Sequence, residues 1–596
     1  MGAIGRQECN RVCGAVSAGR FPPYLNTGFS DLETSGHETV PWAFLNIPPK
    51  KVDNMNAISL LGRALVFVLV LVLCSATSSE CRAQADTLRP VSDEIRFEAC
   101  LPNQNDLGYP LPLAAHWNSG QLKGGFNPKY QMEMIKKGHF LLPWFQLPDP
   151  YSTPLDSDYY EGPIRWAAKE GLPISFLSTQ WERYLTDASE YFSLPTDRNP
   201  NVVNWKGSIE KKVSPFGPIG PWEDLGRKWG STQTLRKIQR LYPAPPLVLF
   251  ISNNEHARLT WNDAEDSSRY LKEFDPGKDT DFKRKVVGDG WIERYRALQK
   301  GIVEGLDAKA WKQSSRFIGY DAFGPGAFGR SGGWIKYSLY IPGRFEPWPL
   351  AWDGGSAPYY VDWDVTADYT VQSPQIESMN WVFMLKEAKR LNPEFRFEIS
   401  AWDGHEEGKH IDMGKYFADR GQVYDPKRYQ GMVQFGMWLL RPRVVREFRL
   451  YNDTLTKSES YFLSIVNSVD RVHTNPILRK FWRKGQLVAN PSGSHPYESA
   501  IPEEYKKAVR WFLLDANVNP KSFRYLSTEV PVFSLALVLG EAPEREWLVY
   551  THSPLKKMDK VEISLPGYGP VQLDVTPAGC FYHVIEKDKS LGKLPE

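Results

Sequence analysis

Between about residue 110 and residue 485, short apolar runs alternate with amphipathic stretches, the texture that βα units around a parallel sheet produce. The runs that read as strands are Leu111–Trp117, Phe140–Gln146, Pro173–Thr179, Leu247–Ser252, Phe317–Ala322, Tyr359–Asp364, Phe395–Ala401 and Gly431–Trp438. Helical patterns between them include Tyr130–Lys137, Gly162–Glu170, Trp291–Leu306 and Pro374–Leu391. In the last of these Ile376, Met379, Phe383 and Leu391 recur along one face, Pro374 suits the first helical position, and Ser373 can cap. Eight strands with intervening helices predict an α/β chain folded as a (β/α)8 TIM barrel, whose functional groups sit at the carboxyl ends of strands. A long insertion is expected at Asp321–Ala357, rich in Gly, Phe and Trp, and ordered loops of that kind shape binding sites.

Beyond about residue 520 the texture changes to alternating runs: Val530–Leu539, Glu546–Thr551, Val561–Leu565, Val571–Val575 and Cys580–Ile585. Gly, Pro and Asp turns separate them, so residues 521–596 read as a small antiparallel β-sandwich and residues 86–520 as the catalytic barrel. The sandwich is expected to cover apolar barrel surface rather than to bind a ligand of its own.

At the other end, Asn56–Ala85 has the build of a secretory signal. Arg63 stands in a short basic start, Ala64–Cys74 is apolar, and Ala83-Gln84-Ala85 is a small-x-small cleavage site. The apolar run is about eleven residues against the ~20 that a membrane span needs, which favours a secreted or periplasmic chain with no membrane association after cleavage. Met55 then serves as initiator, segment 55–85 is the leader, and residues 1–54 are an extension foreign to the mature protein. Of the six cysteines only Cys100 and Cys580 remain after cleavage; they can pair in an oxidising compartment or stay two separate buried thiols.

Lys and Arg number 72 against 70 Asp and Glu, which argues against nucleic acid or a charged membrane surface as partner. Aromatic residues make up 13% of the chain, with 21 Trp and 28 Tyr, and their flat faces and polar tips suit sugar rings.

Two carboxylates stand out. Glu255 ends the run Leu247–Glu255, and Glu398 interrupts Phe395–Trp402, so each is delivered by a strand that is otherwise apolar. A buried carboxylate is costly to ionise, and cleavage of a glycosidic bond needs two carboxyl groups, about 5–5.5 Å apart when configuration is retained. Arg396 lies two residues from Glu398 on the same strand face and is positioned to hold it ionised. Glu182, Asp321, Asp362, Asp364, Asp403, Glu406 and Glu407 are further carboxylates near expected strand ends; should Glu398 fail, Asp321 or Asp362 takes its place.

His116, Trp117 and Asn118 end the first strand and Trp144 and Gln146 the second, where substrate contacts are expected. Tyr320, Trp402 and Trp438 are candidate stacking platforms. Arg441, Arg443, Arg446 and Arg449 follow the eighth expected strand and suit sulfate or carboxylate groups, unless they serve in salt bridges to barrel helices. The histidines of His405–His410 are five apart with Gly408 between them, a poor helical metal motif, and no metal catalysis is expected. Gly324–Gly333 lacks a phosphate-loop or dinucleotide spacing, so no cofactor is expected either.

An Asn-Glu pair at the end of strand four with a second Glu on strand seven resembles clan A of the retaining (β/α)8 glycoside hydrolases. The resemblance implies Glu255 as acid/base, Glu398 as nucleophile, and Asn254 as the partner of the sugar 2-hydroxyl. Many members of that clan carry Pro after the pair where His256 stands here, which leaves family and sugar open. The expectation is a secreted retaining glycoside hydrolase acting on a poly- or oligosaccharide, with anionic or sulfated sugars among the candidates. Its rivals are a carbohydrate-binding barrel without activity and a metal-assisted hydrolase built on Asp403, His405 and His410.

Overall fold

The computed structural model describes residues 96–97, 113–116, 145–253, 267–320, 347–361, 372–402, 413–447, 455–490, 512–520 and 529–596. The expected leader, the extension before it, Cys100 and the expected helix Tyr130–Lys137 lie outside these residues, as does most of the insertion from Asp321.

Eight parallel strands form one sheet: β1 (Leu113–His116), β2 (Phe145–Gln146), β3 (Ile174–Thr179), β4 (Val248–Asn253), β5 (Ser315–Tyr320), β6 (Gly354–Tyr360), β7 (Arg396–Trp402) and β8 (Val444–Glu447). Each pairs with its successor from β2 to β8, and β8 pairs with β1 in the register Val444↔Leu113 to Glu447↔His116. Among the described residues the ladder therefore runs β1, β8, β7, β6, β5, β4, β3, β2, with β1 and β2 at its two edges.

Helices fill the connections: α1 (Ser157–Glu170), α2 (Gly220–Gly230), α3 (Gln233–Leu241), α4 (Thr280–Gly305), α5 (Ser373–Leu391), α6 (Lys427–Leu440), α7 (Leu455–Thr474) and α8 (Pro476–Lys484). Their starts are written locally. Thr232 Oγ1 accepts from Leu235 N at 3.3 Å to open α3, and Asp279 Oδ1 accepts from Phe282 N at 2.8 Å to open α4. The α2–α4 contact depends on missing side chains: a Cβ on Gly226 would lie 2.1 Å from Leu298 O, and one on Gly301 2.2 Å from Glu223 O. Between β3 and α2 the chain adds a hairpin, Asn201–Val203 with Ile209–Val213.

Three readings of the sequence are corrected. Gly431–Trp438, expected as the eighth strand, lies inside α6. Every residue from Gly431 to Leu440 is buried, and an element covered on all sides shows no helical stripe, so its apolar run looks like a core strand. The eighth strand is the short Val444–Glu447, disguised by Arg446 and Glu447. The sixth strand begins at Gly354 rather than Tyr359; its Gly-Gly-Ser-Ala-Pro start is poor in β-formers, yet all seven residues are buried between β5 and β7. Ser373 is the first residue of α5 rather than its cap; Gln372 precedes it and turns its Oε1 to Val530 N at 2.6 Å instead.

The carboxy-terminal strands are β9 (Gln486–Val488), β10 (Asp515–Ala516), β11 (Phe533–Leu539), β12 (Glu546–His552), β13 (Met558–Leu565), β14 (Gly569–Val575), β15 (Cys580–Ile585) and β16 (Ser590–Lys593). They form two antiparallel sheets, one ordered Arg96–Phe97, β9, β11, β12, β15, β16 and the other β10, β13, β14. The larger sheet thus recruits residues well before position 521. Alternation along β11 serves two cores: Ala536 and Val538 face an apolar cluster shared with Ile563 and Leu573 of the smaller sheet, while Leu535 and Leu537 join the helix-layer cluster containing Trp438 and Trp482. Tyr550 donates its hydroxyl to Gly431 O at 2.7 Å across that junction. Cys580 is a buried thiol 3.4 Å from Thr576 Oγ1, and Cys100, the partner considered for it, lies outside the described residues.

Candidate functional site

Strand alternation sorts the parallel sheet into an outer face packed on helices and an inner face with its own small cluster. Leu249 and Ile251 of β4, Ile318 and Tyr320 of β5, Tyr360 of β6 and Trp402 of β7 belong to the inner cluster. The last three stand at the carboxyl ends of their strands. The hydroxyls of Tyr320 and Tyr360 hydrogen-bond each other, and Tyr360 donates on to Ser400 Oγ at 3.5 Å. Trp402 meets Tyr360 edge-on, with centroids 5.6 Å apart and planes at 86°. An aromatic floor with a hydroxyl chain therefore lies under the end of the sheet where the expected chemistry belongs. Tyr320 and Trp402 were legible as candidates; Tyr360 and Ser400 were missed, although Ser400 lies two residues before Trp402 and so shares its face.

Four connections leave this floor. Asn254 and Glu255 follow the last residue of β4, Asp321 follows β5, Asp362 lies two residues beyond β6, and Asp403 follows β7. All five lie outside the described residues, as do Trp117, Asn118 and Trp144 and the stretch His405–His410. Of His116 only the backbone is described; it ends β1 opposite Glu447.

Glu398 occupies a different level. It is the third of seven residues in β7, four short of Trp402, which places it about 13 Å down the strand from the carboxyl end at ~3.3 Å per residue. Arg446 of the neighbouring β8 grips it with two parallel bonds, Nε to Oε2 at 2.8 Å and Nη2 to Oε1 at 3.1 Å, and both side chains are 0% exposed. The residue that binds both carboxylate oxygens is thus Arg446. Burial pulls the Arg446 guanidinium below its ordinary range; Glu398 opposes that shift and Arg396 adds to it. This is the geometry of an interstrand clamp, with no carboxylate oxygen turned to a groove.

Two other expected contacts face the helix layer. Glu182 sits in the 3-10 turn Trp181–Arg183 after β3 and is buried beside Tyr295 of α4, where Trp181 and Trp352 also pack. Burial pushes its carboxyl up to about 7, against smaller lowering effects from a backbone bond, the Tyr295 hydroxyl and Arg183. Trp438 is buried on α6, edge-on to Trp482 at 5.0 Å and to Phe581 at 5.4 Å, so it is core and not a platform. Of the arginines read either as an anion site or as salt-bridge partners, Arg441 lies buried over the Trp482 ring at 4.4 Å and Arg446 belongs to the clamp, while Arg449 lies outside the described residues.

No family model matches the chain, and no curated protein matches it. Among solved structures a family 51 alpha-L-arabinofuranosidase, AbfB, from Bifidobacterium longum aligns over 77% of this chain and 84% of its own, with 11% identity and a TM-score of 0.29. A score that low is insufficient to infer a common fold.

Proposed function

We propose that the chain is a secreted hydrolase of glycosidic bonds in a poly- or oligosaccharide, built on a sheet that closes between β1 and β2 and capped by a carboxy-terminal β-sandwich. One observation carries the reading: the carboxyl ends of β5, β6 and β7 present a floor of Tyr320, Tyr360, Ser400 and Trp402, and the chain leaves β4 beside it through Asn254 and Glu255. Aromatic faces with a few directed hydroxyls are what a sugar site requires.

In this reading Glu255 gives its proton to the glycosidic oxygen as the C–O bond breaks, and Asn254 holds the 2-hydroxyl. A second carboxylate takes the anomeric carbon, and water deprotonated by Glu255 then releases the sugar with retained configuration. Glu398 is unsuited to the second role while Arg446 holds both of its oxygens, and Asp321 or Asp362 takes it instead. The test is to incubate the purified full chain with a panel of plant and algal polysaccharides. Release of sugar that falls roughly a thousandfold in Glu255→Gln supports the assignment; no release from any polymer, or near-native rates in that variant, rejects it. The buried Glu398 also favours a second reading, a barrel that binds carbohydrate without cleaving it, and binding without release would select that one.

A further inference from the structure

The hairpin between β3 and α2 carries Trp205 at its tip, 73% exposed, in a chain whose other well-described tryptophans are largely core. The tip is held firmly. Asn204 Oδ1 accepts from Lys206 N and Ser208 N, both at 3.0 Å, Asn204 Nδ2 donates to Glu210 Oε1 at 3.1 Å, and Gly207 takes φ +77° to close the turn. The base is held too. Arg269, just past the connection that leaves β4, donates to Asn201 O and Asn199 O, both at 2.8 Å, and to Thr196 O at 2.6 Å. The hairpin therefore belongs to the long connection that leaves the carboxyl end of β3, and Arg269 ties its base to the residues described next after β4. Lys206 Nζ stands 4.7 Å from the Trp205 ring centre, which sets a cation and three N–H donors beside a flat apolar face.

We propose that Trp205 is a stacking platform for a sugar ring of a polysaccharide chain, with Lys206 donating to that ring's hydroxyl or acidic groups, at a subsite outside the cleft. An aromatic displayed on a rigid tip binds with little ordering cost, and its position suits a polymer whose next rings run into the mouth of the sheet. The proposal rests on the carbohydrate reading above and extends it to a long substrate.

The experiment is affinity electrophoresis of the full chain in native gels containing neutral or sulfated polysaccharides, with wild type, Trp205→Ala and Trp205→Phe run side by side. Gel filtration and hydrolysis of short aryl glycosides are followed in parallel. Expected is retardation of the wild type by at least one polymer, a dissociation constant raised roughly tenfold in Trp205→Ala, partial recovery in Trp205→Phe, and unchanged rates on short glycosides. Equal retardation of wild type and Trp205→Ala, no retardation by any polymer, or a dimer that Trp205→Ala dissociates would each overturn the proposal. Failure of the platform with short glycosides still cleaved leaves the hydrolase reading intact; retardation lost in Trp205→Ala without any cleavage keeps the platform and removes the hydrolase.

Discussion

Arg446 holds both oxygens of Glu398 across the β7–β8 pair, at 2.8 and 3.1 Å, with neither side chain reaching solvent. Removing one partner of such a pair strands a buried charge, so Glu398→Gln is expected to lose about 3–5 kcal/mol of stability. Urea unfolding followed by tryptophan fluorescence measures it. Replacing both together, as Glu398→Met with Arg446→Leu, should restore most of the loss. A Glu398→Gln protein of native stability but no activity would instead return this residue to the reaction.

Glu182 gives the protein a pH-dependent cost. Its folded carboxyl is pushed up to about 7 from an ordinary 4.5, so between those values the folded chain keeps a proton that the unfolded chain has released. Stability therefore falls as pH rises through that window, by about 3 kcal/mol in full. Glu182→Gln keeps the shape without the titration, and its unfolding free energy should lack this decline. Parallel pH profiles for variant and wild type would refute the assignment.

His552 acts in the opposite sense. Pro577 O can only accept, so the Nδ1 that approaches it at 3.0 Å carries the proton, and Nε2 accepts from the Gln375 amide at 3.3 Å. Burial first, then the Arg428 cation, lowers the ring to about 3, so it stays neutral where an unfolded histidine charges. Stability attributable to this ring is complete above about pH 6.5 and is lost as pH falls towards 3, on the order of 5 kcal/mol at the acid limit. Acid unfolding of His552→Gln should show a shallower limb than wild type; an unchanged limb counts against the ring.

The hydroxyl chain on the floor is testable by coupling. Tyr360→Phe removes the bonds to Tyr320 and Ser400 at once and is expected to cost about 1–2 kcal/mol of stability. Tyr320→Phe breaks only the shared bond, so the double variant should be little worse than Tyr360→Phe alone. Strict additivity in that cycle would show that the two hydroxyls do not act together.

The parallel sheet was legible because β3, β4, β5 and β7 each set three or four apolar side chains within six or seven residues. Where the code failed, burial had erased periodicity or chemistry had hidden in it. The α6 helix is covered on every side along its second half, while β8 spends half of its four residues on charged groups, of which Arg446 is matched by Glu398 and Glu447 accepts from the Tyr429 hydroxyl. Glu398 was correctly seen as a carboxylate inside a core strand, but the arginine that binds both of its oxygens comes from a strand the sequence did not reveal. Trp438 went with the misread strand, since it is buried within α6, and Glu182 turns to the helix layer because a one-dimensional reading gives no sign of which way a residue after a strand faces.

The edge pairing of Arg96–Phe97 with Gln486–Val488 sets an order of events for a nascent chain. The early dipeptide cannot find its place until some four hundred further residues have left the ribosome, and the neighbouring β11 emerges later still. Maturation of the carboxy-terminal layer is thus postponed to the end of synthesis, and a gene fragment cut at codon 520 would separate an edge from the sheet it completes.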